Sequence, residues 1–252
     1  MLDGAPRFRD LGGLPTSDGR VVRPGRLYRS ESLWRLTDGD LERLRGLAIR
    51  QVFDLRGAEE RRHQLHRWPV DQPAEFVVLG SETEAQSHHE FMRMVRHDFT
   101  PSGAHAALAD YYRRFPAAFL DRLPILFERL AAADGVPALI LCQFGKDRTG
   151  FVVALLLAAL GVPLDIIRRD YASTGTRSHP ADRARAEVFF AEAIGGPPDP
   201  ASIAVMMSAS VTLLDAALET VAGQFGSLDA YLERCGALDS VRRDRLRRAL
   251  LA

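Results

Sequence analysis

The sequence predicts an α/β fold: a central, mainly parallel sheet of four or five strands, flanked by helices and followed by a helical C-terminal part. Three observations predict it. Short β-prone runs alternate with longer helical patterns up to Gly161. The run Ala138–Leu141 is short and wholly apolar, and leads through a tight polar loop into an apolar helical stretch that stops at Gly161 and Pro163. From Ala201 to Leu251 no strand pattern interrupts the helical spacing. At 252 residues, 46% of them hydrophobic, the chain can bury a full-sized core as one domain spanning 1–252.

In chain order, Phe8–Ser30 carries paired turn signals at Gly12-Gly13, Ser17-Asp18-Gly19 and Pro24-Gly25 around short β-prone pieces. This predicts an opening hairpin and then a strand at Arg26–Arg29. Arg9 and Asp10 could buttress a site but fit a structural or surface ion pair better. Leu41, Leu44 and Leu47 have helical spacing, with Thr37 or Asp38 as the cap. Ile49–Leu55 reads as a second strand ending in Asp54-Leu55-Arg56. A carboxylate at a strand end in such a fold is a candidate acid, base or loop-ordering group; capping the helix GAEERRHQL explains Asp54 equally well. Phe76–Leu79 reads as a third strand.

Ser81–His105 is polar and lacks a clean period, which predicts a lid or substrate-facing insertion over 81–112, with Phe91, Met92 and Met94 as its apolar face. Its four histidines fit no zinc spacing. Ala107–Ala133 is helical, broken or kinked at Pro116 and Pro124. A helix enters at Pro163, and the loop after it carries Arg177 and His179, better read as solvated than as a phosphate contact. Gly195–Pro200 is a tight connection, and 201–252 forms the closing helices. Their basic tail reads as a helix packed on the core rather than on a membrane.

The chemistry concentrates in Leu139–Phe151, LILCQFGKDRTGF. A loop that opens a helix aims several backbone N–H groups at one point, backed by the positive end of the helix dipole, and such a nest holds phosphate. Cys142 at its start would be a thiolate favoured by that field. Arg148, six residues on, can grip two oxyanions through its planar fork. Thr149 would set a hydroxyl beside the sulfur, to stabilise the thiolate and help it leave. Lys146 is the single lysine in a chain that otherwise uses arginine. A Walker loop is excluded, because no Ser/Thr follows the lysine and the leading glycine is missing.

CQFGKDRTG resembles the phosphate loop of cysteine-dependent phosphatases, and more narrowly that of the atypical bacterial tyrosine/lipid phosphatases, HCxAGKDRTG. Phe8–Ser30, Phe53–Arg61 and the C-terminal GSLDAYLERCGALDSVRRDRLRRALL are also similar to segments of that family. The resemblance implies a phosphatase-like fold with the loop at the carboxyl end of a central strand. It also implies hydrolysis of phosphomonoesters through a phosphocysteine, with no cofactor. It names Cys142 as nucleophile, Arg148 as phosphate ligand, and Gln143, Phe144, Gly145, Lys146 and Gly150 as the phosphate-binding loop. Asp147 would be the general acid, with Asp54 in reserve. The substrate would be a phosphotyrosine protein or, given Lys146, a phosphoinositide, and the product inorganic phosphate. Two departures stand out: Leu141 where the family has His, and Phe144 where it has Ala.

Zero formal net charge gives no general pull toward nucleic acid or membrane. The longest apolar run, Phe151–Val162, is about half a membrane span. Two cysteines and no signal-peptide pattern predict a reducing, cytoplasmic setting. Trp68-Pro69-Val70-Asp71 resembles the mobile acid loop of other tyrosine phosphatases, but Val70 separates Pro from Asp and a strand follows, so it reads as coincidence. Two other functions fit the same loop. One is a phosphate-binding module without turnover; the other is a thiol-redox or sulfur-transfer enzyme using Cys142.

Overall fold

The computed structural model describes residues 2–80 and 82–252, without the side chains of 82–85. In chain order the elements are β1 (Arg9–Asp10), β2 (Leu27–Ser30), α1 (Asp38–Arg45), β3 (Gln51–Asp54), α2 (Ala58–His63) and β4 (Glu75–Val78). Then come α3 (Glu82–His97), α4 (Pro101–Ala118), α5 (Leu123–Ala131), β5 (Ala138–Leu141) and α6 (Asp147–Leu160). The C-terminal part holds α7 (Leu164–Ser173), α8 (Ala181–Ile194), α9 (Pro200–Met207), α10 (Val211–Phe225), α11 (Leu228–Arg234) and α12 (Ser240–Leu250).

The sheet order is β1-β2-β5-β3-β4, with β1 antiparallel and the other four strands parallel. This is the predicted α/β fold. Strands β2, β3 and β5 are buried along their whole length, as expected for parallel strands covered on both faces. Alternation along β5 divides the core. Ala138 and Ile140 face the large cluster with α4, α5 and α6, while Leu139 and Leu141 face a smaller one with Leu33, Leu36, Leu44 and Val52. Ser30, Leu141 and Asp54 stand in register at one edge, so the chain leaves β2, β5 and β3 side by side.

Several ends are set by the chemistry the sequence suggested. Thr37 caps α1 in a capping box with Asp40. Gly161 ends α6 in the left-handed region at φ +91°. Arg243 and Arg247 of α12 then donate to the last carbonyls of α6, at Ala159 and Leu160, so the basic tail packs on the core.

The segment after Ser81, which itself lies outside the described residues, is helical despite its missing period: it is α3, whose Phe91, Met92 and Val95 are buried against α4. Residues three and four apart supply that face, and the polar majority hid the period. His88, Phe91, Leu108 and Tyr111 from the 81–112 stretch line the cavity described below. One expectation is corrected. Asp54 does not cap α2, whose N-cap is Gly57 with Glu60 reaching back to its N–H. Among the described residues no single helix is long and apolar enough to cross a membrane.

Candidate active site

The loop between β5 and α6 runs from Cys142 to Lys146. The first N–H groups of any helix lack intrahelical acceptors. Here the backbone N–H groups of Gln143 through Asp147 have no acceptor among the described residues. Five donors therefore remain unspent at the positive end of α6, directly after the cysteine. Gly145 makes the turn possible: its φ is +62°, and a Cβ there would lie 2.4 Å from the Glu31 nitrogen. Gly150 is equally confined, since a Cβ would meet the Tyr171 ring at 2.7 Å.

The loop is also held from outside. Arg29 of β2, 1% exposed, donates to the Gly145 carbonyl at 3.0 Å and to Asp170 of α7 at 2.7 Å. Asp170 also accepts from Arg9 at 3.1 Å. Burial works against the Asp170 charge, but Arg29 and Arg9 outweigh it and keep its pKa below the usual carboxylate range. Arg9 thus supports the loop at one remove. Asp10 instead accepts from the N–H groups of Gly12 and Gly25 in the hairpin turns.

Cys142 is 1% exposed and Arg148 is 7% exposed. Arg148 Nη1 and Nη2 each donate to one oxygen of Glu60, both at 2.6 Å, in a bidentate fork. Burial raises the cost of the Glu60 charge, yet Arg148 and the Gly57 N–H hold its pKa down. Glu60 sits on α2 after β3 and Arg148 on α6 after β5, so adjacent strands deliver the two halves of the clamp.

Lys146 donates to the carbonyls of Met206 at 2.5 Å and Ser208 at 2.9 Å, at the end of α9, and stands 3.3 Å from Asp147. Burial lowers its pKa and the charge of Arg7 adds to this, while Asp147 and Cys142 oppose. Asp147 Oδ1 accepts from the Tyr112 hydroxyl at 2.7 Å, and Tyr112 in turn pairs with Tyr171 at 2.6 Å. Burial foremost, with Asp147 nearby, pushes the Tyr112 hydroxyl well up, so it remains a donor. The Thr149 hydroxyl is fully buried and has no hydrogen-bond partner among the described residues.

A cavity of about 470 Å³ opens above the loop. Gln143, Phe144, Lys146, Asp147 and Arg148 line it, and Phe144 is 40% exposed. Cys142 is not in the lining, which begins in this loop at Gln143; it is buried at the edge of the large core cluster. Asp54 is elsewhere: it is 2% exposed, bound by Arg56 at 2.9 Å and His66 at 3.0 Å. Burial alone would raise its pKa, but His66 and Arg56 hold it at about 2. Asp71 is exposed and pairs with Arg45. Arg177 and His179 are not in the lining; Arg7, Asp182 and Arg185 are. Sequence reasoning missed Glu60, Tyr112, Arg29, Arg7 and Arg185. Glu60 alone left a local signal, as an acidic residue at the third position of a helix.

Comparison with known proteins agrees with this geometry. The profile of the tyrosine phosphatase family matches residues 1–252. The chain is similar, at 32% identity over 92% of its length and 81% of the relative's, to a Cupriavidus necator protein assigned by name to the tyrosine-protein phosphatases. It is 31% identical, over 93% of both chains, to the triple specificity protein phosphatase PtpB of Mycobacterium tuberculosis. A tyrosine-protein phosphatase of Nostoc commune is 28% identical over 68% of this chain and 54% of its own. The chain belongs to the tyrosine phosphatase family, and its chemistry is the hydrolysis of phosphoric monoesters.

Proposed function

We propose that the chain acts as one phosphatase domain on phosphotyrosine in proteins, with Cys142 as nucleophile. The observation that carries this is the run of five unspent N–H groups directly after Cys142, on a loop whose residues line one cavity together with Arg148. The sulfur attacks phosphorus in line, forming the S–P bond as the bond to the phenolic oxygen breaks. The loop N–H groups and Arg148 hold the equatorial oxygens as charge builds on them. Asp147 gives its proton to the departing phenolate; it lines the cavity, and Tyr112 steadies one of its oxygens. Water then attacks phosphorus, Asp147 takes its proton, and Cys142 leaves as thiolate beside the Thr149 hydroxyl. Inorganic phosphate is released.

Asp54 is set aside for the acid role, because Arg56 and His66 bind it and hold its pKa at about 2, and it does not line the cavity. Phosphotyrosine ranks above a phosphoinositide because the Lys146 ammonium is already engaged by two carbonyls. The reading places the chain in the cytoplasm, supported by two cysteines that are both free.

Hydrolysis of p-nitrophenyl phosphate tests it. Cys142→Ser is expected to lower turnover on the order of 10⁴-fold or more while phosphate still binds. Phosphate binding without turnover in the unaltered chain would mean a binding module. Thiol exchange that persists in Arg148→Ala would mean a redox enzyme.

A further inference from the structure

Four charged groups beside the phosphate loop do not balance. Asp182 of α8 is 1% exposed and takes two arginines: Arg7 Nη1 at 3.0 Å on one oxygen and Arg35 on the other. Arg185, one turn further along α8, stacks over Trp34 at 5.0 Å, a ring that Arg35 also covers at 5.2 Å. Among the described residues Arg185 makes no hydrogen bond and no ion pair. Arg7 is 2% exposed; its Nε donates to the Thr174 carbonyl at 3.4 Å, and its Nη2 has no partner among the described residues. Three guanidinium groups therefore share one aspartate. Glu31, which accepts from the Arg7 backbone N–H at 2.9 Å, adds only part of a charge, because burial pushes its pKa up to about 7.

Arg7 is buried and Arg35 and Arg185 are half-buried, and an excess of positive charge so placed is costly unless something negative joins it. Arg7 and Arg185 both line the cavity that holds Arg148, so the missing anion has a way in. We propose that Arg7 and Arg185 form a second anion subsite that takes a carboxylate side chain flanking the phosphotyrosine of a peptide substrate. This rests on the phosphotyrosine reading above and deepens it. Spacing allows it: a cavity of about 470 Å³ is on the order of 8 Å across, and an extended peptide advances about 3.4 Å per residue. A residue one or two positions from the phosphotyrosine therefore reaches the subsite. The forked guanidinium of Arg185 matches a carboxylate in shape and charge. The cavity walls also include Phe144, Tyr111, Phe189 and Met206, which suit an aryl ring and offer little to the hydroxyls of an inositol.

The test uses matched phosphotyrosine peptides that differ only by Asp or Asn at each position within two residues of the phosphotyrosine. For at least one position the full chain is expected to favour Asp about tenfold in kcat/KM. In Arg185→Gln that ratio falls toward one, through KM more than kcat, while Arg185→Lys retains part of it. Binding of the same peptides to Cys142→Ser, read by fluorescence anisotropy, gives the ratio without turnover. Absent hydrolysis thus counts against the phosphatase reading, and the affinity ratio still judges the subsite. No preference for Asp at any position, or a preference that survives unchanged in Arg185→Gln, overturns the proposal. So does a short-chain phosphoinositide whose hydrolysis drops in Arg185→Gln while the peptide ratio stands.

Discussion

Arg148 and Arg185 line one cavity and differ in what surrounds them. Arg148 is held by both oxygens of Glu60, and the loop that carries it is fastened by Arg29 and by Lys146. Arg185 rests on an indole face without a carboxylate of its own. A guanidinium clamped in advance suits a reacting group, since the transition state finds it already placed and no ordering is left to do. One that stacks loosely suits a group that varies between substrates, because it can adjust at little cost. The difference separates a place where geometry must be fixed from one where only charge need match.

The contrast can be broken most severely at the loop. If Asp147 is the fixed proton donor, Asp147→Asn lowers kcat for phosphotyrosine or phenyl phosphate about 10²–10⁴-fold and hardly affects an activated dinitrophenyl ester. Equal loss with both leaving groups would sink that role. Asp54→Asn, which strips Arg56 of its buried partner, should instead appear as lost stability with no leaving-group dependence.

Glu60→Gln sharpens the contrast by loosening Arg148 to the condition of Arg185. The expectation is a loss of about 10²-fold in kcat/KM, with the Asp-to-Asn peptide ratio unchanged. If that ratio collapses as well, the two arginines are not separate devices.

The smallest effect concerns Glu31, which lies between the two regions: its nitrogen lies against Gly145 and its carboxylate binds the Arg7 N–H. Burial raises its pKa to about 7 from an ordinary value near 4.5. A raised carboxyl pKa means the folded state prefers the proton. Its stability contribution is therefore complete below about pH 4.5, falls as pH rises toward about 7, and then levels off. Urea unfolding across that window should show a decline of about 3 kcal/mol that Glu31→Gln flattens. A decline of equal size in the variant would assign it to other groups.

How far the sequence was legible follows from the range of each interaction. β5, the cap at Thr37 and the stop at Gly161 were readable because short apolar runs, hydroxyl caps and left-handed glycines act within a few residues. The helix α3 was not, because its buried residues are outnumbered by polar ones and only α4 reveals which face matters. Asp54 looked like a free carboxylate at a strand end until His66, twelve positions away, was seen against it.

The sequence by itself determined the loop, since the cysteine, the glycines and the arginine lie within one turn of chain and their chemistry is local. Only the tertiary structure decided which charges are spent. Glu60 reaches Arg148 across 88 positions and Arg7 reaches Asp182 across 175, so no local pattern carries either pairing. The physical reason is that burial removes water as a competitor. Each buried charge must then find a partner that the sheet register and helix packing bring near, as Glu60 is brought to Arg148 and Asp182 to Arg7.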